Sequence, residues 1–220
     1  NQRFAAWAKD PPDMARQWKL LQDGQLPEGW DADIPSFPPD AKGMATRVAG
    51  GKVLEAVAPA VPWLLGGAAD LTPSTRTYLP GSKDFQKGQH GNRNLRFGVR
   101  EHAMASVCNG MALSKLRPFG ATFLVFADYC RPPLRLAAMM KLPVIHVFTH
   151  DSIGVGEDGP THQPVEQIAS LRTIPNLDVV RPGDANETAA AWRYALTTTD
   201  RPVLLMLTRQ NIPVFDRSRC

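Results

Sequence analysis

From Thr46 onward the chain repeats one unit: a short apolar run, a glycine- or proline-marked turn, then a stretch with helical spacing. Val48, Val53, Leu54 and Val57 recur at three- and four-residue intervals and predict a helix over 46–58, stopped near Pro59 and Pro62. Apolar runs predict strands over 63–69, 94–99, 121–126, 144–149, 177–180 and 203–207. Between them, helices are expected over 101–113, 129–140, 165–171 and 186–196, the last capped by Asp184 or Asn186. Pro132 and Pro133 are tolerable only near the first turn of their helix. Strands that are apolar at nearly every position, alternating with helices, must be buried on both faces. The expected fold is therefore α/β, a mostly parallel sheet with helices on both sides.

The first forty residues differ. They hold Trp7, Trp18 and Trp30, a helical stretch over 14–21, and then Pro27, Pro35, Pro38 and Pro39. This reads as an N-terminal helix with a Pro/Trp-rich interdomain linker over 1–44, lying on the domain or on a neighbour. The α/β domain then spans 45–215, and 216–220 is a tail without evident structure. A start at Asn1 and an end at Cys220 suggest a piece of a longer protein.

A net charge of +4 without a Lys/Arg cluster argues against nucleic-acid binding and suits a small phosphorylated ligand. Three cysteines (Cys108, Cys130, Cys220) have no metal spacing and form no disulfide framework, which is cytoplasmic usage. No apolar run is long enough to cross a membrane.

The segment THDSIGVGEDGPTHQP, 149–164, follows the apolar run Val144-Ile145-His146-Val147-Phe148 and carries His150, Asp151, Glu157, Asp158 and His162 among three glycines. A polar, glycine-rich loop at the C-terminal end of a buried strand is where open α/β sheets place ligands. Its histidine spacing matches none of the usual zinc patterns. Neutral histidines that hydrogen-bond hydroxyls or move protons fit better than a metal site in this chain. Glu101 opens a helix, where the macrodipole alone favours a carboxylate; the other reading is a carboxylate tuned in a dry site. Phe123, Phe126 and Tyr129, three residues apart, read either as packing or as a slot for a flat heteroaromatic ring. Arg47, Ser74 and Arg209 stand at element boundaries. Each alone is a surface residue by default, and together they would clamp a phosphate.

Five blocks in this order, GGAADLTPS (66–74), FGVREHAM (97–104), FGATFLVFADY (119–129), the 149–164 loop and LTRQNIP (207–213), resemble the pyrimidine-binding domain of the transketolase family. The linker GWDADIPSFPPDAKG (29–43) is similar to the segment that precedes that domain. The resemblance implies thiamine diphosphate as cofactor. Glu101 then matches the catalytic glutamate that hydrogen-bonds the pyrimidine nitrogen N1′. Phe126 matches the ring stacked on the pyrimidine, with Phe123 and Tyr129 lining the slot and Asp70 an acidic neighbour. Arg47, Ser74, His150 and Arg209 match residues that hold a sugar phosphate. Asp158 matches the reader of a substrate hydroxyl, and His162 a group close to the reacting carbons.

The implied reaction moves a two-carbon ketol unit from a ketose phosphate to an aldose phosphate, as in the pentose phosphate pathway or Calvin cycle. The Mg or Ca ion that holds the diphosphate belongs, by the same resemblance, to an N-terminal domain that this chain lacks. The site would form against that domain of a partner subunit in a homodimer. Two rivals share much of the pattern. One is a 1-deoxyxylulose-5-phosphate synthase-like or 2-oxoacid dehydrogenase beta-like enzyme, against which His150, His162 and Arg209-Gln210-Asn211 argue. The other is a non-catalytic dimerisation module, against which the full set of charged residues argues.

Overall fold

The computed structural model describes Phe4, Trp7, Lys9 and residues 12–219. Asn1 and Cys220 lie outside the described residues. Helix α1 (Pro12–Asp23) precedes strand β1 (Asp40–Met44) and helix α2 (Thr46–Val57). The units that follow are β2 (Leu64–Ala68), α3 (Thr72–Thr75), β3 (Asn94–Arg96), α4 (Glu101–Leu113), β4 (Arg117–Phe123), α5 (Ala127–Met139) and β5 (Ile145–Thr149). Then come α6 (Gln167–Leu171), β6 (Asp178–Val180), α7 (Ala185–Thr197), β7 (Val203–Leu207) and β8 (Ile212–Val214).

Six strands form one sheet in the order β3-β2-β4-β5-β7-β6, and every pair in it is parallel. The near-continuous apolar character of the strands follows, because both faces are covered. Ile145, Val147, Val203, Leu205 and Leu207 join a core with Val53, Leu54 and Trp192 of α2 and α7. Phe148, Leu204 and Met206 point the other way, into a core with Met104, Leu134 and Leu171 of α4, α5 and α6. The expected α/β architecture is the observed one.

Several boundaries differ from expectation, each for a physical reason. The strand expected over 121–126 runs Arg117–Phe123, and Leu124–Phe126 curls into a 3-10 turn. The strand gains Arg117 and Pro118 at its start, and the Arg117 side chain is buried. Its Nη2 donates to the carbonyls of Ala195, Leu196 and Thr198, and Nη1 to that of Pro143. One guanidinium thus closes the C-terminal end of α7, whose last carbonyls would otherwise lack partners. Helix α5 starts at Ala127, so Pro132 and Pro133 fall in its second turn; the carbonyls they leave free belong to the first turn, where the chain enters from the 3-10 segment. Just past β2, Thr72–Thr75 form the single helical turn α3.

Strands β1 and β8 were not foreseen. They pair antiparallel as a separate two-stranded ribbon, where Gly43 has φ of 58° and a Cβ there would lie 1.7 Å from the Ile212 carbonyl oxygen. Only glycine admits that approach. Ile34 and Phe37 of the proline-rich segment enter the core, and Trp30 packs against it, while Trp7 and Trp18 stay exposed. The tail is not structureless: Arg217 lies in a short 3-10 turn and pairs with Asp184 and Glu187 at 3.1 Å each. Asp184 is also the cap of α7, accepting from the Glu187 N–H.

Arg117→Met removes the group that satisfies α7's terminal carbonyls without opening a large cavity. Urea unfolding is expected to show a loss of about 3 kcal/mol, far more than an exposed arginine contributes.

Candidate active site

All parallel strands end on the same edge, and register aligns their last residues. Phe123 of β4 is level with Thr149 of β5, and Thr149 with Leu207 of β7. Whatever follows each strand therefore emerges side by side: the Leu124–Phe126 turn, His150, and Thr208-Arg209. Helix α2 is tied to the same edge by a reciprocal clasp. The Thr46 N–H donates to Thr208 Oγ1 at 2.9 Å, and the Thr208 N–H donates to Thr46 Oγ1 at 2.7 Å. Arg47 and Arg209, 162 residues apart in sequence, are the next residue on each side of this clasp.

His150 is buried, with φ of 57°, a left-handed conformation that costs a non-glycine residue on the order of 1–3 kcal/mol. Its ring stacks on Phe123 with centroids 3.7 Å apart, and its Nδ1 is hydrogen-bonded with the Thr149 hydroxyl at 3.0 Å. That leaves Nε2 for a ligand. Burial and then the Arg47 charge lower the pKa of His150 to about 4, with Asp158 acting in the opposite sense and Arg209 and His162 adding to the fall. His150 is therefore neutral at physiological pH.

Arg47 Nη1 donates to the Ser74 carbonyl at 2.6 Å. Burial first, then Arg76 and Arg209, lower the pKa of Arg47, opposed by Asp158. These influences place Arg47, Arg209, His150 and Asp158 in one electrostatic neighbourhood, with Ser74 bound to the first of them. Guanidinium groups gathered beside one carboxylate, at the N-terminal end of α2, make a site for an anion. Arg76 belongs to this group and was missed: nothing in its sequence context distinguished it from a surface cation. It sits at φ of 58° directly after α3, which turns the chain back toward α2.

The aromatic residues form a continuous run. Phe123 and Phe126 lie 5.9 Å apart and nearly coplanar in orientation, at 12°; Tyr129 lies 6.2 Å beyond Phe126. His162 meets Phe126 edge-on at 5.4 Å and Phe123 at 6.0 Å. Gly159, φ 82°, supplies the bend that starts the Pro160–His162 turn and brings His162 back over the rings. Phe123 is buried, Phe126 half-buried and Tyr129 exposed, so the row runs from core to surface.

Glu101 is the first residue of α4 and is buried at 8% exposure. Among the described residues none hydrogen-bonds its carboxylate. The Cys130 thiol of α5 donates to the Glu101 backbone carbonyl at 3.4 Å. Burial, with the Glu101 charge second, pushes that thiol far above its ordinary range. A buried, unpartnered carboxylate beside a half-open aromatic row fits a flat heteroaromatic ring with a nitrogen that shares a proton. Asp70 stands apart from the arginine group, exposed, at φ of 60° just past β2. It lines a cavity of about 250 Å³ with Ala68, Thr72, Pro73, Arg96 and Gly98. Asp151, the neighbour of His150, is held by Arg181.

Fold and site together define a class: a doubly wound α/β domain that presents an aromatic slot, a buried acid and a cationic anion site at its carboxyl edge. The family model described as "Transketolase, pyrimidine binding domain" matches residues 42–214. The chain belongs to that family. It is 54% identical over 216 residues to the transketolase of Geobacillus stearothermophilus, covering 98% of this chain and 32% of the relative. The crystal structure of the Pichia stipitis transketolase in complex with sedoheptulose 7-phosphate superposes with a TM-score of 0.93 at 44% identity, covering 98% of this chain and 33% of that one. A "split gene transketolase, inactive beta4 tetramer" matches with a TM-score of 0.63 at 33% identity, over 79% of this chain and 55% of that one. The chain thus spans about a third of the length of the curated relatives it matches.

His150 is expected to titrate near pH 4 by histidine-ring NMR. Buried His146 is likewise lowered, to about 3. Both folded-state values lie below the ordinary 6.5, so the unfolded chain takes up these protons first. Their contribution to stability is full above about pH 6.5 and is lost as pH falls through the interval toward 4 and 3. Urea midpoints measured across that interval should fall with pH; a flat profile would contradict the burial described.

Proposed function

We propose that the chain is the pyrimidine-binding part of a transketolase, which moves a two-carbon ketol unit from a ketose phosphate to an aldose phosphate. The observation that carries this reading is the gathering of Arg47, Arg209, Asp158 and neutral His150 beside the Phe123–Phe126 row. Two recognition chemistries, one for a phosphate-bearing polyol and one for a flat ring, meet at one strand edge. When bound, thiamine diphosphate supplies the electron sink that lets a bond between two sugar carbons break.

The chain's own residues take the following parts. Phe126, flanked by Phe123 and Tyr129, stacks on the pyrimidine and keeps water from its face. Glu101, whose carboxylate is free of partners, hydrogen-bonds the ring nitrogen and holds a proton there. Its burial, at 8% exposure, would strengthen that bond by limiting competition from solvent. Asp70 would be an acidic neighbour of the cofactor. Arg47 and Arg209 bind the sugar phosphate, Ser74 adds a hydroxyl, and His150 Nε2 contributes without adding charge, since its imidazole is neutral. Asp158 reads a sugar hydroxyl, and His162, edge-on to Phe126, sits nearest the reacting carbons and orients a hydroxyl there.

The diphosphate and its Mg or Ca ion belong to a separate domain of a partner subunit in a homodimer. An apolar outer face supports such a partner: Val107 and Leu113 of α4, and Tyr129, Leu136 and Met139 of α5, are exposed. Cys108 and Cys130 are buried free thiols, in keeping with a cytoplasmic setting, and among the described residues no helix is long and apolar enough to cross a membrane.

Two outcomes are expected. The purified 220-residue chain should show negligible ketol transfer by itself; measurable turnover without a partner domain would refute the shared-site reading. In the assembled enzyme, Glu101→Ala should lower turnover by at least about 100-fold while circular dichroism stays unchanged. Xylulose 5-phosphate should serve as donor and pyruvate should not; the reverse would favour the synthase-like or dehydrogenase-like relatives.

A further inference from the structure

The strained His150 conformation needs something to hold it, and the next residue supplies a candidate. The Asp151 side chain is fully buried, and its Oδ2 accepts from Arg181 Nε at 2.7 Å. Its other oxygen, Oδ1, is buried without a partner. A carboxylate buried with one of two oxygens unsatisfied is a poor source of stability, because desolvation offsets most of the attraction. The pair is better explained by what it fixes.

Arg181 follows β6, the edge strand, so its backbone is anchored to the sheet independently of the 149–164 loop. Through Asp151 it fastens the base of that loop, two residues past the end of β5. A second tie lies one residue on, where Gln210 Nε2 donates to the Ser152 Oγ at 3.3 Å. Gln210 neighbours Arg209, so the loop base is bound on one side to β6 and on the other to the anion site. Between these ties and Thr149, His150 adopts the left-handed conformation that lays its ring on Phe123.

The geometry points to Arg181 as a positioning residue of the substrate site, acting through Asp151 to hold the His150 ring between Phe123 and the arginine group. This rests on the reading of His150 as a sugar-phosphate contact and extends it to a residue outside the loop. The rival explanation is that Arg181 only neutralises Asp151. The two differ in the behaviour of a double variant, because removing both charges cures a charge imbalance but does not restore a tether.

The test uses the 220-residue chain as Arg181→Met, Arg181→Lys and the double variant Asp151→Asn/Arg181→Met, with cooperative thermal unfolding as the check on folding. Two quantities are read: the NMR titration of the His150 ring and its chemical-shift contact with Phe123, and the affinity for inorganic phosphate. The groups that face His150 and shape its titration are Arg47, Arg209, His162 and Asp158, none of which is altered.

In Arg181→Met, the His150 midpoint is expected to rise from about 4 toward 6.5, with the Phe123 ring-current shift lost. Phosphate binding should weaken by about tenfold, the worth of one hydrogen bond to a charged group. Arg181→Lys should recover part of each effect. If Arg181→Met does not fold, the double variant carries the comparison, since it leaves no lone buried charge. A released His150 in the folded double variant supports the positioning role. A His150 midpoint and ring shift equal to those of the parent, in either folded variant, overturns it. These readouts do not depend on turnover. Absence of ketol transfer by the unmodified assembled enzyme would defeat the functional reading and leave the tether result standing.

Discussion

Everything at the candidate site depends on parallel register. When neighbouring strands run the same way and are level at their ends, the residues after them are forced into a common row, whatever their distance in the chain. Phe123, Thr149 and Leu207 occupy adjacent rungs, so the segments carrying Phe126, His150 and Arg209 leave the sheet together. The Thr46–Thr208 clasp then adds a helix start to that row. Each threonine satisfies the other's backbone N–H, so two groups that would be costly to bury alone are paired at the place where Arg47 and Arg209 must meet.

Burial determines the chemistry of what meets there. Taking His150 out of solvent beside Arg47 makes the neutral imidazole the stable form, so positive charge at the site resides on arginine. A histidinium in the same place would lose its proton too readily to be dependable, whereas guanidinium stays charged even when partly desolvated. The aromatic row works by gradation. Phe123 belongs to the core and backs His150, Phe126 is half covered, and Tyr129 is open. A flat ring entering along that row would meet a surface already ordered by packing. The Glu101 carboxylate, on a buried residue and without a hydrogen-bond partner among the described residues, is a polar group that such a visitor could satisfy.

Much of this was legible from particular residues. The doubly apolar strands and the three- and four-residue spacing of Val53, Leu54 and Val57 report burial directly, because side-chain periodicity is a local property of helix and strand. The cap of α7, expected at Asp184 or Asn186 and found at Asp184, is likewise local. The failures have a common cause. The strand expected over 121–126 begins at Arg117, and an isolated guanidinium belongs in water; the carbonyls of Ala195, Leu196 and Thr198, about eighty residues away, make its burial tolerable. Strands β1 and β8 are short, β1 mostly polar and β8 interrupted by Pro213, and they pair where Gly43 lets a distant segment approach. Arg181 and Arg76 carried no signal at all, since each acquires meaning from the neighbour the fold gives it.

Composition, hydrophobic period and five motif blocks were thus enough to determine the α/β class and the family, and to nominate residues for a candidate site. They could not determine which of those residues touch. Arg47 and Arg209 are 162 positions apart, and whether two guanidinium groups form an anion site or lie on opposite faces is set by strand order and by one pair of threonine hydroxyls. The left-handed turn at His150 and its tether to Arg181 through Asp151 are likewise properties of the folded edge. Local sequence specifies energies within a few residues; long-range pairing is selected only when the whole sheet closes and buries both its faces.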